Sequence, residues 1–399
     1  MTVAARPEVT VVGGGVAGLI AAVEAAEAGA PVRLLEARRR LGGRATSTPG
    51  PFVANLGPHA LYVGTELWGW LVRRDLAGRA VMPRSPHVRF RWEGSIRRLP
   101  PRALLPALRL RGVSAPVDAD LRTWATERWG PASAAALAGV AGALTFDHDP
   151  GRLSAAFVVE RIQRIFLRPT VSARYVEGGW SALAGRVAAH ARSLGVRIEL
   201  DAGIDPSGLA DRRAAGPVVL AVEPGAARRL LGDEVAPAPR RRVALLDVGL
   251  ARARDPYVVV DLDEAIFWTR PSAVLDGLAP EGADIVQLSG GMTPGETLDA
   301  AEARLEAVLD AVSPGWRTRV EWRRRAAVTE STGAVDLPGA TWRDRPAITR
   351  GDGLWLAGDW VASPGHLAEV SCTSAVTAAR LAVAALSGVS GVSGVGRRR

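Results

Sequence analysis

Hydrophobic positions along the chain alternate between short unbroken runs and wider, helix-like spacing. Val9-Thr10-Val11-Val12 is an apolar run that meets the glycine turn Gly13-Gly14-Gly15-Val16-Ala17-Gly18 and then an alanine-rich stretch. A second run, Pro31-Val32-Arg33-Leu34-Leu35, ends on Glu36. Short runs bounded by turn residues predict buried strands, and the alanine-rich interval predicts the crossover helix of a βαβ unit. Phe52 to His59 predicts a short strand entering a Gly-Pro turn. Residues 88–99 set Val88, Phe90 and Trp92 among polar neighbours, turn at Gly94-Ser95 and return through Ile96 to Leu99, which predicts a β-hairpin. Helices are predicted over 131–144, 153–166 and 181–194, the last closed by Gly195 as a left-handed cap. Strands follow at 196–200 and 217–222, then a region of strands around one amphipathic helix, 296–312, within 241–339. Gly353 to Trp360 reads as a strand and precedes a last helix, 366–386, while the Ser-, Gly- and Val-rich tail, 388–399, is expected to be disordered.

The turn at residues 13–18 carries chemistry as well as shape. Gly13 permits a tight turn, Gly15 lets backbone N–H groups approach a pyrophosphate, and Gly18 allows the helix to pack closely on the strand. Phosphates would rest on the helix N-terminus, where unpaired donors and the positive dipole end favour an anion. At the end of the second strand, Glu36 is placed to accept hydrogen bonds from a ribose 2′-OH and would repel a 2′-phosphate. Leu41-Gly42-Gly43-Arg44 extends the pattern.

Residues 9–47 resemble the N-terminal fingerprint of the flavin-dependent amine oxidase, protoporphyrinogen oxidase and phytoene desaturase superfamily, which continues past the acid into a Gly-Gly-Arg segment. A second block resembles the closing motif of that superfamily: Leu356-Ala357-Gly358-Asp359, Pro364 to Glu369 and Ala375 to Arg380. A third, Asn55 to Tyr62, resembles its second flavin-contacting loop, with Asn55 where an acid is common. The resemblance implies FAD and an α/β fold: a glutathione-reductase-like Rossmann FAD domain with a discontinuous substrate domain of mixed or antiparallel sheet plus helices. The interleaving of nucleotide-type pieces then implies an FAD domain from residues 1–85, 175–240 and 340–387, and a substrate domain from 86–174 and 241–339. It further implies cofactor contacts at Gly13, Gly15, Val16, Ala17, Gly18, Glu36, Ala37, Arg38, Gly42, Gly43, Arg44, Gly57, Pro58, His59, Ala60, Ile204, Gly358, Asp359, His366, Leu367 and Ala368. Asp359 would hold a ribityl or pyrophosphate oxygen through water. The N–H groups near Leu367 and Ala368 would face the N1–C2=O edge of the isoalloxazine, where reduction places negative charge. His366 stands where the amine-oxidase branch carries an aromatic residue and is a candidate for moving a proton, as is His59.

Composition narrows the chemistry. The chain has 399 residues, 48% hydrophobic and 23% charged, with a net charge of +9, and all 50 of its basic residues are arginine. Lysine chemistry is therefore excluded, including the lysine that holds water at flavin N5 in many amine oxidases. The arginines are scattered among 41 acids without a recognition motif, so nucleic acid is not an expected partner. Cys372 is the only cysteine, which excludes an internal disulfide, and the five histidines show no metal-ligand spacing. Neither a signal peptide nor an uninterrupted apolar span appears, and a cytoplasmic location is the expectation. No second GxGxxG follows a later strand, which leaves O₂ or a quinone-type acceptor to reoxidise the flavin. The resemblance further implies that the segments holding Trp180, Trp268, Trp322 and Trp360 come near the flavin or substrate cavity, which points to a hydrophobic or aromatic substrate. The run Arg97 to Arg111 alternates arginine, leucine and proline and is read mainly as part of the substrate domain, with peripheral membrane contact as the alternative.

The leading expectation is an FAD-dependent oxidoreductase that removes hydride from a lipophilic or aromatic small molecule, by desaturation or dehydrogenation. The alternatives are an amine or amino-acid oxidase, a redox-neutral flavin isomerase and a flavin-free binding module.

Overall fold

The computed structural model describes residues 7–57, 59–82, 88–167, 173–232, 241–329 and 335–392. Its strands are β1 (Val9–Val12), β2 (Val32–Leu35), β3 (Leu61–Tyr62), β4 (Ala80–Val81), β5 (Val88–Trp92), β6 (Ser95–Arg97), β7 (Ala173–Val176), β8 (Arg197–Glu199), β9 (Val218–Leu220), β10 (Arg242–Ala251), β11 (Val258–Asp261), β12 (Phe267–Thr269), β13 (Ala283–Met292), β14 (Val320–Thr329) and β15 (Leu354–Leu356). Its helices are α1 (Val16–Glu27), α2 (Glu66–Val72), α3 (Leu121–Trp129), α4 (Pro131–Thr145), α5 (Ala155–Ile165), α6 (Gly179–Ser193), α7 (Pro206–Ala215), α8 (Pro224–Leu231), α9 (Leu298–Val312) and α10 (Ala368–Val392).

Two sheets organise the chain. The first is parallel, in the order β15-β9-β1-β2-β8, and assembles strands that are far apart in sequence. Both of its faces are covered, which is why its strands read as unbroken apolar runs. Val9, Val11, Val219 and Trp355 face the core shared with α1, α6 and α10, while Val12, Val218, Leu220 and Leu354 face the core with α7 and α8. The second sheet runs β14-β10-β13-β12-β11-β5-β6 and is antiparallel except where β11 meets β5. Helix α9 covers one face, against Ala244, Leu246, Val248 and Trp268. On the other face α3, α4 and α5 pack near Phe90, Val260 and Phe267. The fold class is thus α/β, with a Rossmann-like sheet and a second, mixed sheet, as the sequence pattern predicts.

Two local expectations are corrected. Among the described residues of Phe52 to His59 no strand forms beyond one bridge between Ser47 and Asn55. The chain instead folds on itself: Gly57 N–H donates to Asn55 C=O and His59 N–H to Gly57 C=O, each at 2.8 Å, with Gly57 at φ +107°. Those short-range bonds take the donors a strand would need. The last helix also extends through 388–392, part of the segment expected to be disordered; residues 393–399 lie outside the described residues. Once a helix is nucleated each added residue gains a bond, so Gly388 and Gly391, each costing about 1 kcal/mol, weaken it without stopping it. Its stretch Ala368–Gly388 is long and apolar enough to cross a membrane. Here Ala375, Ala378, Ala379 and Ala382 of that stretch are buried in the core shared with α1.

Candidate cofactor and substrate site

The glycine turn has the geometry that its spacing predicts. Gly13 adopts φ +103°, and a Cβ there would lie 2.5 Å from the Ala221 carbonyl oxygen. A Cβ on Gly18 would lie 1.8 Å from the carbonyl oxygen of Gly13, so α1 can approach β1 only without a side chain at this point. Gly15 differs: a Cβ there meets nothing within 4 Å. It caps α1 with no side-chain hydrogen bond and no acid in the first turn, which leaves the helix N-terminus open toward a cavity. Glu36 is held by two backbone donors, Gly14 N–H to Oε2 at 2.6 Å and Arg38 N–H to Oε1 at 2.8 Å. The carboxylate is buried and lines the cavity, with lone pairs remaining for a hydroxyl donor.

That cavity, about 1300 Å³, runs from the glycine turn into the space between the two sheets. Nearly all of the expected cofactor contacts line it: Gly13, Gly15, Val16, Ala17, Glu36, Ala37, Arg38, Gly42, Gly43, Arg44, Gly57, His59, Ala60, Ile204, Gly358, Asp359, His366, Leu367 and Ala368. Gly18 is not on its wall and acts through packing behind it. Pro58 lies outside the described residues.

Three regions distant in sequence meet at the middle of the cavity. Arg44 donates to Asp359 Oδ1 at 2.6 Å, and Asp359 is buried. The Gly358 turn is clamped by Ser374 of α10, whose Oγ accepts from Gly358 N–H at 3.0 Å. Leu367 has φ +50°, a left-handed conformation that costs a branched residue about 1–2 kcal/mol. Among the described residues no protein acceptor takes the Leu367 or Ala368 N–H. Glu369 accepts from His366 N–H and from Glu66 N–H, both at 3.0 Å, and so fixes this helix start against α2. His366 is buried on the cavity wall. His59 places Nδ1 2.9 Å from Gly57 C=O, and because a carbonyl only accepts, Nδ1 carries the proton and Nε2 the lone pair. Burial, with Arg44 nearby, pushes the His59 pKa down to about 4, so the ring is neutral at physiological pH.

Asn55, the departure from the resembled loop, works as a neutral hub. Its Oδ1 accepts Trp180 N–H at 2.9 Å, and its carbonyl accepts from Gln287 Nε2 at 3.1 Å and Arg324 Nη2 at 2.6 Å. Gln287 and Arg324 both hold Asp247, a fully buried carboxylate on β10.

Beyond this polar middle the walls turn apolar, with Leu144, Ile162, Ile165, Val260, Phe267 and Leu245 among them. Trp180 and Trp360 line the cavity, but Trp268 and Trp322 do not. Trp268 points to α9 because its strand neighbour Phe267 takes the cavity face, and Trp322 stacks on Phe52 at 5.8 Å. Sequence reasoning missed Tyr175 and Tyr257 and gave Tyr62 no role beyond ending the resembled loop, yet these, the chain's three tyrosines, all line the cavity. Their rarity beside twelve tryptophans was the available signal. Tyr175 shares a 2.9 Å hydrogen bond with Thr269, and burial raises the pKa of all three phenols, which stay neutral. Cys372 is buried in the core around α1 and α10 and is not on the cavity wall.

Residues 11–74 match the family model of the NAD(P)-binding Rossmann-like domain. No curated protein matches the sequence significantly. Among solved structures, cyclohexylamine oxidase from Brevibacterium oxydans is similar at 15% identity and a TM-score of 0.71, over 96% of this chain and 100% of that one. An oxidoreductase from Methanosarcina mazei is similar at 16% identity and a TM-score of 0.69, over 93% and 99%. UDP-galactopyranose mutase is similar at 14% identity and 0.67, over 97% and 96%. The chain thus shares the fold of these proteins over nearly its whole length.

Proposed function

We propose that this protein is an FAD-dependent oxidoreductase that removes hydride from a C–H bond of a lipophilic or aromatic small molecule and leaves a double bond. The observation that carries the reading is one continuous cavity lined both by a dinucleotide-type turn and by a wall of apolar side chains. The cofactor fits on several independent counts: the open α1 N-terminus, the anchored Glu36 and the donors at Leu367 and Ala368. Bound FAD would supply the hydride acceptor. The α1 N-terminus and Gly15 would hold the pyrophosphate, Glu36 the adenosine ribose, and Arg44 with Asp359 the region between. Leu367 and Ala368 N–H would stabilise negative charge at the far edge. The apolar walls around Leu144, Ile162 and Phe267 would orient substrate and exclude water, and His366 would handle the proton.

The similar folds cover different reactions. Cyclohexylamine oxidase favours a second reading, oxidation of an amine, against which stand the apolar chamber and the missing lysine. UDP-galactopyranose mutase keeps a redox-neutral role in view. The test is to purify the chain, record its visible spectrum, photoreduce it without oxygen and follow reoxidation by O₂ or a quinone. The expected result is a yellow protein reduced anaerobically by polyene or porphyrinogen substrates and reoxidised by one of these acceptors. Peroxide release with an amine panel alone would move the assignment to the second reading. A colourless protein that does not take up FAD would end both.

A further inference from the structure

The stretch Arg102–Leu110 is a nine-residue 3₁₀ helix, long for its kind. With three residues per turn its side chains fall into three vertical rows. Leu104, Ala107 and Leu110 form the inward row, and Leu104 and Leu110 are buried. Arg102, Leu105 and Leu108 form an outward row, with Leu105 49% and Leu108 68% exposed although both also line the cavity. They therefore stand at its mouth. Pro100 lines the mouth as well, beside Leu99 at 77% exposure, and Phe166, 47% exposed, lines it from just beyond the C-terminus of α5. Arg111 Nη2 donates to Leu167 C=O at 2.9 Å and Gln163 Nε2 to Leu110 C=O at 2.6 Å, which bind the two sides of the rim together. Residues 94–117 carry five arginines, Arg97, Arg98, Arg102, Arg109 and Arg111, and no acid.

We propose that this rim is a docking surface for an anionic lipid bilayer, with Leu99, Leu105, Leu108 and Phe166 entering the headgroup and upper acyl region and the arginines meeting lipid phosphates. Charge complementarity selects this partner: exposed leucines interleaved with an unbroken cationic segment fit an anionic, apolar-centred surface. Leu105, Leu108 and Phe166 are both exposed and on the cavity wall, so docking there would set the apolar part of the cavity against lipid. The proposal is independent of which molecule is oxidised, because it is read on binding rather than on turnover.

The experiment mixes the full-length protein, with its cofactor, with vesicles of phosphatidylcholine alone or of phosphatidylcholine with phosphatidylglycerol, and measures co-sedimentation across salt. Binding is expected to the mixed vesicles and to weaken with salt. Leu99→Glu is expected to lower the partition coefficient about tenfold. The double variant Arg98→Glu with Arg109→Glu should lower it by about tenfold or more. None of these three positions lines the cavity, so flavin content and turnover of a soluble substrate should be unchanged in both variants. No binding to the mixed vesicles at low salt, or wild-type binding by both variants, overturns the proposal. Sensitivity to the arginines but not to Leu99 would instead identify a polyanion site, and a concentration-dependent dimer lost with Leu99→Glu would identify a second copy; either result also overturns it. Substrate-driven flavin reduction without vesicle binding would sink this inference while leaving the redox reading intact.

Discussion

The two sheets present the cavity with different materials. Around the parallel sheet the site is built largely from backbone: an open helix start at Gly15, N–H donors at Leu367 and Ala368, and a glutamate held by main-chain donors. Around the second sheet it is built from side chains, including Leu245, Val260 and Phe267, and from helix residues such as Leu144 and Ile162. A backbone site tolerates few substitutions because steric limits are absolute, whereas a side-chain wall can be repacked at moderate cost. The cofactor end is therefore a rigid specification and the substrate end an adjustable one.

Four perturbations test that contrast. Gly18→Ala should have the largest effect, since its Cβ would collide with the Gly13 carbonyl; destabilisation above about 4 kcal/mol is expected, visible as loss of soluble folded protein. Next comes the joint between the regions. Asp247→Ala removes the buried partner of Arg324 and Gln287 and should cost about 3–5 kcal/mol in denaturant unfolding, whereas Asp247→Asn should cost less. Gly15→Ala should separate folding from cofactor binding, because φ −73° and open space accept a methyl group. The apo protein should unfold as wild type does while FAD affinity falls about 100-fold by titration.

The smallest effect concerns His59. Its folded pKa lies near 4 against an ordinary 6.5, so below pH 6.5 the unfolded chain takes a proton that the folded one refuses. Its stabilising contribution is complete above pH 6.5 and should decline as pH falls toward 4. His59→Gln should flatten the melting temperature across that window and leave the steeper loss below it, where Glu8, Glu27 and Glu296, held low by arginine partners, become protonated. An unchanged pH profile would count against the assigned environment of His59.

How much of this was legible in the sequence follows the same division. Gly13, Gly15, Gly18 and Glu36 were readable because their spacing encodes a steric and hydrogen-bonding pattern within one βαβ unit. The Gly358-Asp359 block was readable as a resemblance, although its ion pair with Arg44, 315 residues away in sequence, was not. The chamber was poorly legible because strand parity decides which neighbour faces inward: Phe267 lines it and Trp268 does not, though both are large and apolar. The loop at 52–59 misled because its apolar residues serve packing while its backbone closes on itself through Gly57. The left-handed Leu367 left no trace at all, since glycine is the residue that announces such a conformation.

Helix α10 has a consequence for how the protein is made. Its first turn closes one end of the candidate site, and its buried alanines complete the core beneath α1, which lies far earlier in the sequence. β15, an edge strand of the parallel sheet, is also synthesised after the other four strands of that sheet. During translation the glycine turn emerges long before residues 354–392, which its sheet and its site need in order to close. On the proposed function, cofactor capture must wait until α10 has been made, and a ribosome-bound chain stalled before residue 368 should remain colourless however much FAD surrounds it.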